Sequence, residues 1–308
     1  MNRLRQYACH APPTRLPLTR LGISLAEVLV AFAVVTLLMA MLLPALQSSR
    51  EAARSIQCKN NLHQLALGVT EFESVQRRLP QPAFLNGVES PFIELLPYVG
   101  ATSVFMTYKS RDRAAFDDSD FVRSRPSTLA CPADPVVQRN TLGLSYGVNE
   151  GWLIDESGEI KTSGVFGRGK KRIRLLSEVT DGLSNTCLIG EILPGEQGSV
   201  SRSVWLDRPA LAVVTPDTAS ADCLGSASVW SDVNRAARWT LGVGIATSCD
   251  HILPPNSRSC VYVQTVASPH RSGVHLATCD GAVRFVSEAI DLNTWRAMGT
   301  RQGSETAF

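Results

Sequence analysis

From Val28 to Leu43 the chain reads VLVAFAVVTLLMAMLL, sixteen residues of which only Thr36 is polar. With Leu25-Ala26 before it and Ala45-Leu46 after it, the stretch approaches the roughly 20 apolar residues that a helix needs to cross a bilayer. Residues 1–22 carry Arg3, Arg5, Arg15 and Arg20 and no acid. The whole chain has 30 basic and 28 acidic side chains, so without those four arginines the remaining 286 residues carry a net −2. A basic flank followed by an apolar run predicts an N-in membrane segment, with the rest of the chain outside the cytoplasm. A cleaved secretory signal competes with that reading, but its apolar core typically spans only about 7–15 residues. The averages of 44% hydrophobic and 19% charged residues exclude a disordered chain. A pI of about 8.1 leaves no electrostatic footprint for nucleic acid.

Glu27 sits at the edge of the apolar run, where a carboxylate is costly and calls for a partner. A cut after Gly22 would place a new α-amine on Ile23, four residues before Glu27. In a bundle of such helices, one chain's carboxylate can then neutralise a neighbour's amine. The basic leader, Gly22, apolar Ile23 and Glu27 as the fifth residue of the cut chain together resemble the prepilin-type signal of type IV pilins and type II secretion pseudopilins. Pro44 falls at the twenty-second position of the cut chain, where that family often carries a helix-bending proline. The usual first residue of the family is Phe, and Ile23 departs from it. The resemblance implies cleavage by a prepilin peptidase, N-methylation of Ile23 and packing against sister pilin-like subunits. It places the protein in the cytoplasmic (inner) membrane as a single-pass subunit with its head in the periplasm or outside.

Beyond Pro44 the pattern turns amphipathic. Leu62, Leu65, Val69 and Phe72 step by 3, 4 and 3, one face of a helix. The spacing predicts a single helix from about Leu25 to Ser74, ended by Leu79-Pro80-Gln81-Pro82. Residues 1–22 form the leader, 23–75 the N-terminal helix (about 25–46 in the membrane) and 76–308 a β-rich extracytoplasmic part. Predicted strands are Leu144–Val148, Thr186–Ile189, Val204–Leu206, Val261–Val266, Val274–Thr278 and Ala282–Val286. Asp280-Gly281 between two apolar runs is a hairpin signal, and Asp181-Gly182 precedes another strand. Phe92–Tyr98 reads as a helical turn stopped at Pro97, and Ser287–Met298 as a final helix with Ile290 and Trp295 inward. The expected fold class is α+β: a long N-terminal, partly transmembrane helix packed on a β-rich, pilin-like head.

His270, nine residues, then Asp280-Gly281 resembles the H-x9-DG signature of a large bacterial family of prepilin-type proteins of unknown function. Further stretches agree in order: Cys58–Leu62, Leu95–Tyr98, Cys131–Pro135, Ser145–Gly151, Asp181–Thr186 and Gly190-Glu191. The resemblance covers nearly the whole chain from Gly22, except about 195–255, which reads as an insertion. It implies no activity. Since both Cys58 and Cys131 lie in its motifs, it points to them as a disulfide.

Eight cysteines are present. Cys9 leaves with the leader, and seven remain in an oxidising compartment. Cys249 and Cys260 flank a Pro-Pro loop and are a second candidate pair; buried reduced thiols stay open as the alternative. His270 and Asp280 form a candidate acid–base pair, with Ser145, Ser184 or Ser272 as nucleophile, but no Gly-x-Ser-x-Gly elbow is present. The blander and favoured reading makes Asp280-Gly281 a turn and His270 a tie to a neighbouring loop, so the chain is expected not to be an enzyme. No cofactor is expected, although Asp181, Asn185, Glu191 and Asp280 offer hard oxygen ligands for calcium; no zinc or EF-hand spacing occurs. Gly164–Lys171 nearly matches a phosphate loop but ends in Lys171 where Ser or Thr should hold magnesium, so a solvated basic loop is expected. Trp205, Trp230 and Trp239 leave room for a sugar-binding strip.

Overall fold

The computed structural model describes residues 24–81, 90–110, 119–139, 142–151, 163–167, 173–193, 239–240, 247–257 and 265–303. The chain forms two compact units, Met1–Arg50 and Glu51–Phe308. Helix α1 (Leu25–Gln76) contributes to both and continues through Pro44. It begins where Ser24 and Glu27 cap each other: Glu27 N donates to Ser24 Oγ, and Glu27 Oε2 accepts from Ser24 N at 2.8 Å and Ser24 Oγ at 3.0 Å. In the first unit every described residue is exposed, including Leu29, Phe32, Leu37, Met41 and Leu46. By length and composition this is a helix that can cross a membrane.

In the second unit the same helix changes character. Cys58, Asn61, Leu62, Leu65, Ala66, Gly68, Val69 and Phe72 are buried, the single face that the spacing predicts. Helices α2 (Pro91–Leu95), α3 (Thr102–Lys109), α4 (Ser119–Arg123) and α5 (Pro135–Arg139) follow. Arg78, just past α1, holds α2 with two hydrogen bonds to the Glu94 carboxylate at 2.9 and 2.6 Å. The turn at Pro97 differs from expectation. A 3-10 segment, Leu96–Val99, carries the chain past the proline and ends at Gly100, whose φ of 76° suits glycine. Proline lacks only an N–H that a first helical turn leaves unpaired anyway.

Among the described residues the sheet has five strands: β1 (Tyr146–Asn149), β2 (Cys187–Glu191), β3 (Ser248–Cys249), β4 (Gly273–Thr278) and β5 (Val283–Ser287). Their order is β3-β1-β2-β4-β5, antiparallel except for the β3–β1 pair. Every residue of β1, β2 and β4 is buried, so both faces of the central strands are covered. Alternation sends Tyr146 to one face, where its hydroxyl donates to Cys58 O of α1 at 3.3 Å. It sends Asn149 to the other, where Nδ2 donates to Gly299 O at 3.1 Å and to Cys187 O at 2.7 Å.

Several expected boundaries shift. Strand β5 runs to Ser287, and the last helix, α6 (Leu292–Gly299), starts five residues later than expected, because Asp291 caps it by accepting from Thr294 N at 2.9 Å. Of Val261–Val266, only Thr265 and Val266 are described. Thr265 forms an isolated bridge with Asp250. Val204–Leu206, Trp205, Trp230 and most of 195–255 lie outside the described residues. The two-residue β3 was not expected; it is too short to show alternation.

His251 lies beside Trp295, ring centroids 4.2 Å apart, fully buried with neither ring nitrogen hydrogen-bonded. Burial pulls its pKa down to about 3. The folded protein therefore refuses a proton that the unfolded chain accepts below about pH 6.5. Stability is full above that pH and falls as pH drops from 6.5 towards 3. Between pH 7 and pH 5 the folded head should lose about 2 kcal/mol through this residue. A His251→Leu variant should lack that increment, read as the difference in chemical denaturation midpoints at the two pH values. Equal losses in both proteins would show that His251 is not the acid-sensitive group.

A histidine–carboxylate–cystine cluster where two motifs converge

The two longest motifs each span a strand. Asp181–Thr186 forms the turn before β2, and Gly190-Glu191 ends that strand. His270 lies just before β4, and Asp280-Gly281 just after it. Because β2 and β4 are antiparallel, with Cys187 opposite Thr278 and Gly190 opposite Leu276, the two sets of turn residues meet at one end of the sheet. The acid and the imidazole meet at the other. His270 and Asp280 are thus held apart by the whole of β4, about 20 Å of extended chain. Their expected meeting across a hairpin does not occur.

At the turn end the side chains hold backbone. Cys279 N donates to Thr186 O and Asp280 N to Leu183 O, which stitches the two turns together. Asp280 Oδ1 accepts from Thr278 Oγ1 at 2.5 Å and Ala282 N at 3.0 Å. Burial pushes its carboxyl up, but these bonds outweigh it and hold the group below its ordinary value. Gly281 has a φ of 85°, a conformation glycine adopts without strain, and its carbonyl meets His63 Nδ1 at 2.9 Å. Asp181 Oδ2 accepts from Thr300 Oγ1 and Gly303 N, and Asn185 Nδ2 donates to Asp181 O. These residues tie turns to the C-terminal segment. Glu191 lies at the far end of β2, so the four oxygen ligands expected for calcium are not gathered at one point.

At the other end Glu191 is 1% exposed. Its Oε2 accepts from His275 N at 2.8 Å. Its Oε1 has no hydrogen-bond partner and lies 3.6 Å from His270 Nε2 and 3.4 Å from His275 Nδ1. His270 Nε2 is also 3.8 Å from Cys131 Sγ, and His270 Nδ1 is 3.7 Å from Glu51 Oε1 on α1. The two imidazoles meet edge to face at 5.0 Å. Cys131 is bonded to Cys58, with the two Cα atoms 4.9 Å apart, and this disulfide joins α1 to the head. Asn61, three residues on, donates to Ala130 O and Tyr146 Oη. Burial, reinforced by Glu191, pushes the Tyr146 hydroxyl well above its ordinary pKa, so it remains neutral. Ser145 Oγ accepts from Cys131 N at 2.9 Å, and Ser184 Oγ lies 3.4 Å from Asn185 Oδ1. Neither is aligned with His270 as a nucleophile would be, and Ser272 sits exposed in a left-handed turn (φ 66°).

Two expectations need correction here, the Cys249–Cys260 pair and the place of Trp239 in a sugar-binding strip. Cys249 does not bridge to Cys260: its buried thiol donates to Gly147 O at 3.3 Å, because β3 turns that side chain into the sheet. Cys260 lies outside the described residues. In the glycine loop, Gly164 N donates to Glu150 O and Phe166 N to Asn149 O, so these amides are spent on the sheet edge, not displayed to a phosphate. Residues 168–171 of that loop lie outside the described residues. Trp239 is buried and donates to Val122 O, so it presents no face to a sugar. His275 and Glu51 were missed as partners. The only signal for His275 is its place two residues into β4, and for Glu51 its place seven residues before Cys58 on the same helix.

The fold defines an α+β protein with one N-terminal helix long and apolar enough to cross a membrane. Its head is built around a disulfide, a buried carboxylate and two imidazoles. Residues 47–293 match the family SBP_bac_10, described as a protein of unknown function (DUF1559), and the chain belongs to that family. No curated protein and no solved structure matches it.

Proposed function

We propose that this chain is a non-enzymatic, pilin-like subunit, processed after Gly22 by a prepilin peptidase and methylated on Ile23. It stands in the cytoplasmic membrane with its head outside the cytoplasm and packs beside sister subunits in a type II secretion or pilus-like assembly. The observation that carries this reading is the change of character within α1. Its first half exposes apolar residues on all sides, and its second half buries one face in the head. Membrane lipid and neighbouring helices would cover the first half. Among the described residues, Glu27 pairs only with Ser24. A neighbour's free α-amine is the complementary charge that assembly would bring.

Mass spectrometry of the mature N-terminus tests processing. A chain beginning with methylated Ile23 is expected, and a Gly22→Val variant should keep its leader. Glu27→Ala should be cleaved normally but assemble roughly tenfold less, the equivalent of losing about 1.4 kcal/mol of pairing per contact. A mature N-terminus after residue 45 would sink the proposal. The competing reading, a tethered binding or hydrolytic module using His270 and Asp280, loses its support from geometry, since β4 separates the two.

A further inference from the structure

A disulfide needs no acid or base beside it, yet this one has both, buried. Cys58 Sγ, Cys131 Sγ, His270 Nε2 and a Glu191 carboxylate oxygen all lie within 4.8 Å of one another. The Glu191 Oε1 atom is buried at the centre with no hydrogen bond. An unpaired buried carboxylate oxygen costs several kcal/mol unless a cation approaches it. The separation of 3.6 Å (His270 Nε2 to Glu191 Oε1) is too long for an ordinary hydrogen bond, and the 3.8 Å from Cys131 Sγ to His270 Nε2 is at the long end for a hydrogen bond to sulfur. They match the edges of a tetrahedron around zinc, roughly 3.3–3.8 Å for bonds of about 2.0–2.3 Å. The outer partners are those a zinc site uses. Glu51 stands at the other nitrogen of His270, and His275 N fixes the second Glu191 oxygen.

We propose that Cys58, Cys131, His270 and Glu191 form a four-ligand site for a zinc-class divalent cation in the dithiol form of the protein, and that the Cys58–Cys131 disulfide closes the same site.

The chemistry balances with a dithiol reductant. Two electrons and two protons from the reductant cleave the S–S bond and leave two thiols, while the reductant becomes its own disulfide. Zinc then displaces both protons, and the two thiolates separate to the ~3.8 Å that tetrahedral coordination requires. The charge of the site is conserved. With neutral imidazole, the disulfide form carries −1 from Glu191. The zinc form also carries −1, from two thiolates, one carboxylate and one dication. The buried region therefore tolerates either state without a new unpaired charge. The site does not depend on the pilin-like reading, since it lies wholly within the second unit.

The test uses the full chain in detergent, reduced with a non-chelating phosphine and titrated anaerobically with cobalt(II) as a zinc probe. One equivalent is expected to bind with thiolate-to-cobalt charge-transfer absorption and the intense visible bands of tetrahedral cobalt, and zinc should bleach them. Binding should fall at least tenfold in His270→Ala and in Glu191→Gln, and the charge-transfer band should vanish in a Cys58→Ser, Cys131→Ser variant. The unreduced protein should show no such band. If reduction unfolds the chain, the same titration should refold it, read by circular dichroism, because the site assembles only in the folded head. The proposal is overturned if the reduced chain neither binds nor refolds, or if the spectrum survives His270→Ala and Glu191→Gln unchanged.

Discussion

A Cys58→Ser, Cys131→Ser variant should lose about 4 kcal/mol of head stability and unfold on the order of 10 °C lower. The disulfide closes a loop with a sequence separation of 73, and the entropy removed from the unfolded chain grows with that length. It also joins helix to head beside the Asn61–Tyr146–Cys58 hydrogen bonds, so its loss should loosen the docked half of α1 first. Thermal unfolding in detergent measures the stability, and limited proteolysis near Arg54 and Lys59 measures the loosening. A fall of only a degree or two, with unchanged proteolysis, would mean that the apolar face from Leu62 to Phe72 docks the helix unaided.

The second large effect should come from Trp295→Ala, with a loss of about 3–5 kcal/mol. Trp295 is fully buried, lies against the His251 ring at a tilt of 40° and donates from Nε1 to Leu253 O at 2.8 Å. Truncation would leave a cavity and an unpaired carbonyl together. Trp295→Phe keeps most of the volume and loses the hydrogen bond, so it should cost markedly less. The residues matched to the family end at 293, yet α6 closes the core beyond that point. Deletion of residues 294–308 should therefore destabilise the head at least as strongly as the alanine. Urea unfolding of all three variants ranks them, and a Trp295→Ala protein as stable as its parent would show that α6 only covers the surface.

Much of the architecture is legible in local pattern. The apolar run of Val28–Leu43, the steps from Leu62 to Phe72 and the Asp280-Gly281 turn each follow from neighbours a few residues away. The boundaries are less legible. Asp291 moved the start of the last helix, because a cap hydrogen bond outweighs a continuing run of helix-compatible residues. Pro97 did not stop its turn, because a first-turn proline loses nothing there.

The site divides along the same line. The membrane-length helix, its amphipathic second half, the α+β class and the turn-forming roles of Asp-Gly pairs follow from local pattern, since periodicity and turn chemistry act over short separations. Which motif ends meet depends on long-range strand pairing. Glu191 lies 79 residues before His270 along the chain, and nothing local says that their strands run antiparallel in a register that faces them. The same register parts His270 from Asp280, though only nine residues lie between them, because six of those nine, Gly273–Thr278, form the extended strand β4. Burial then gives the cluster its chemistry: the carboxylate, imidazole and sulfur atoms act on one another because the folded head has removed the water between them.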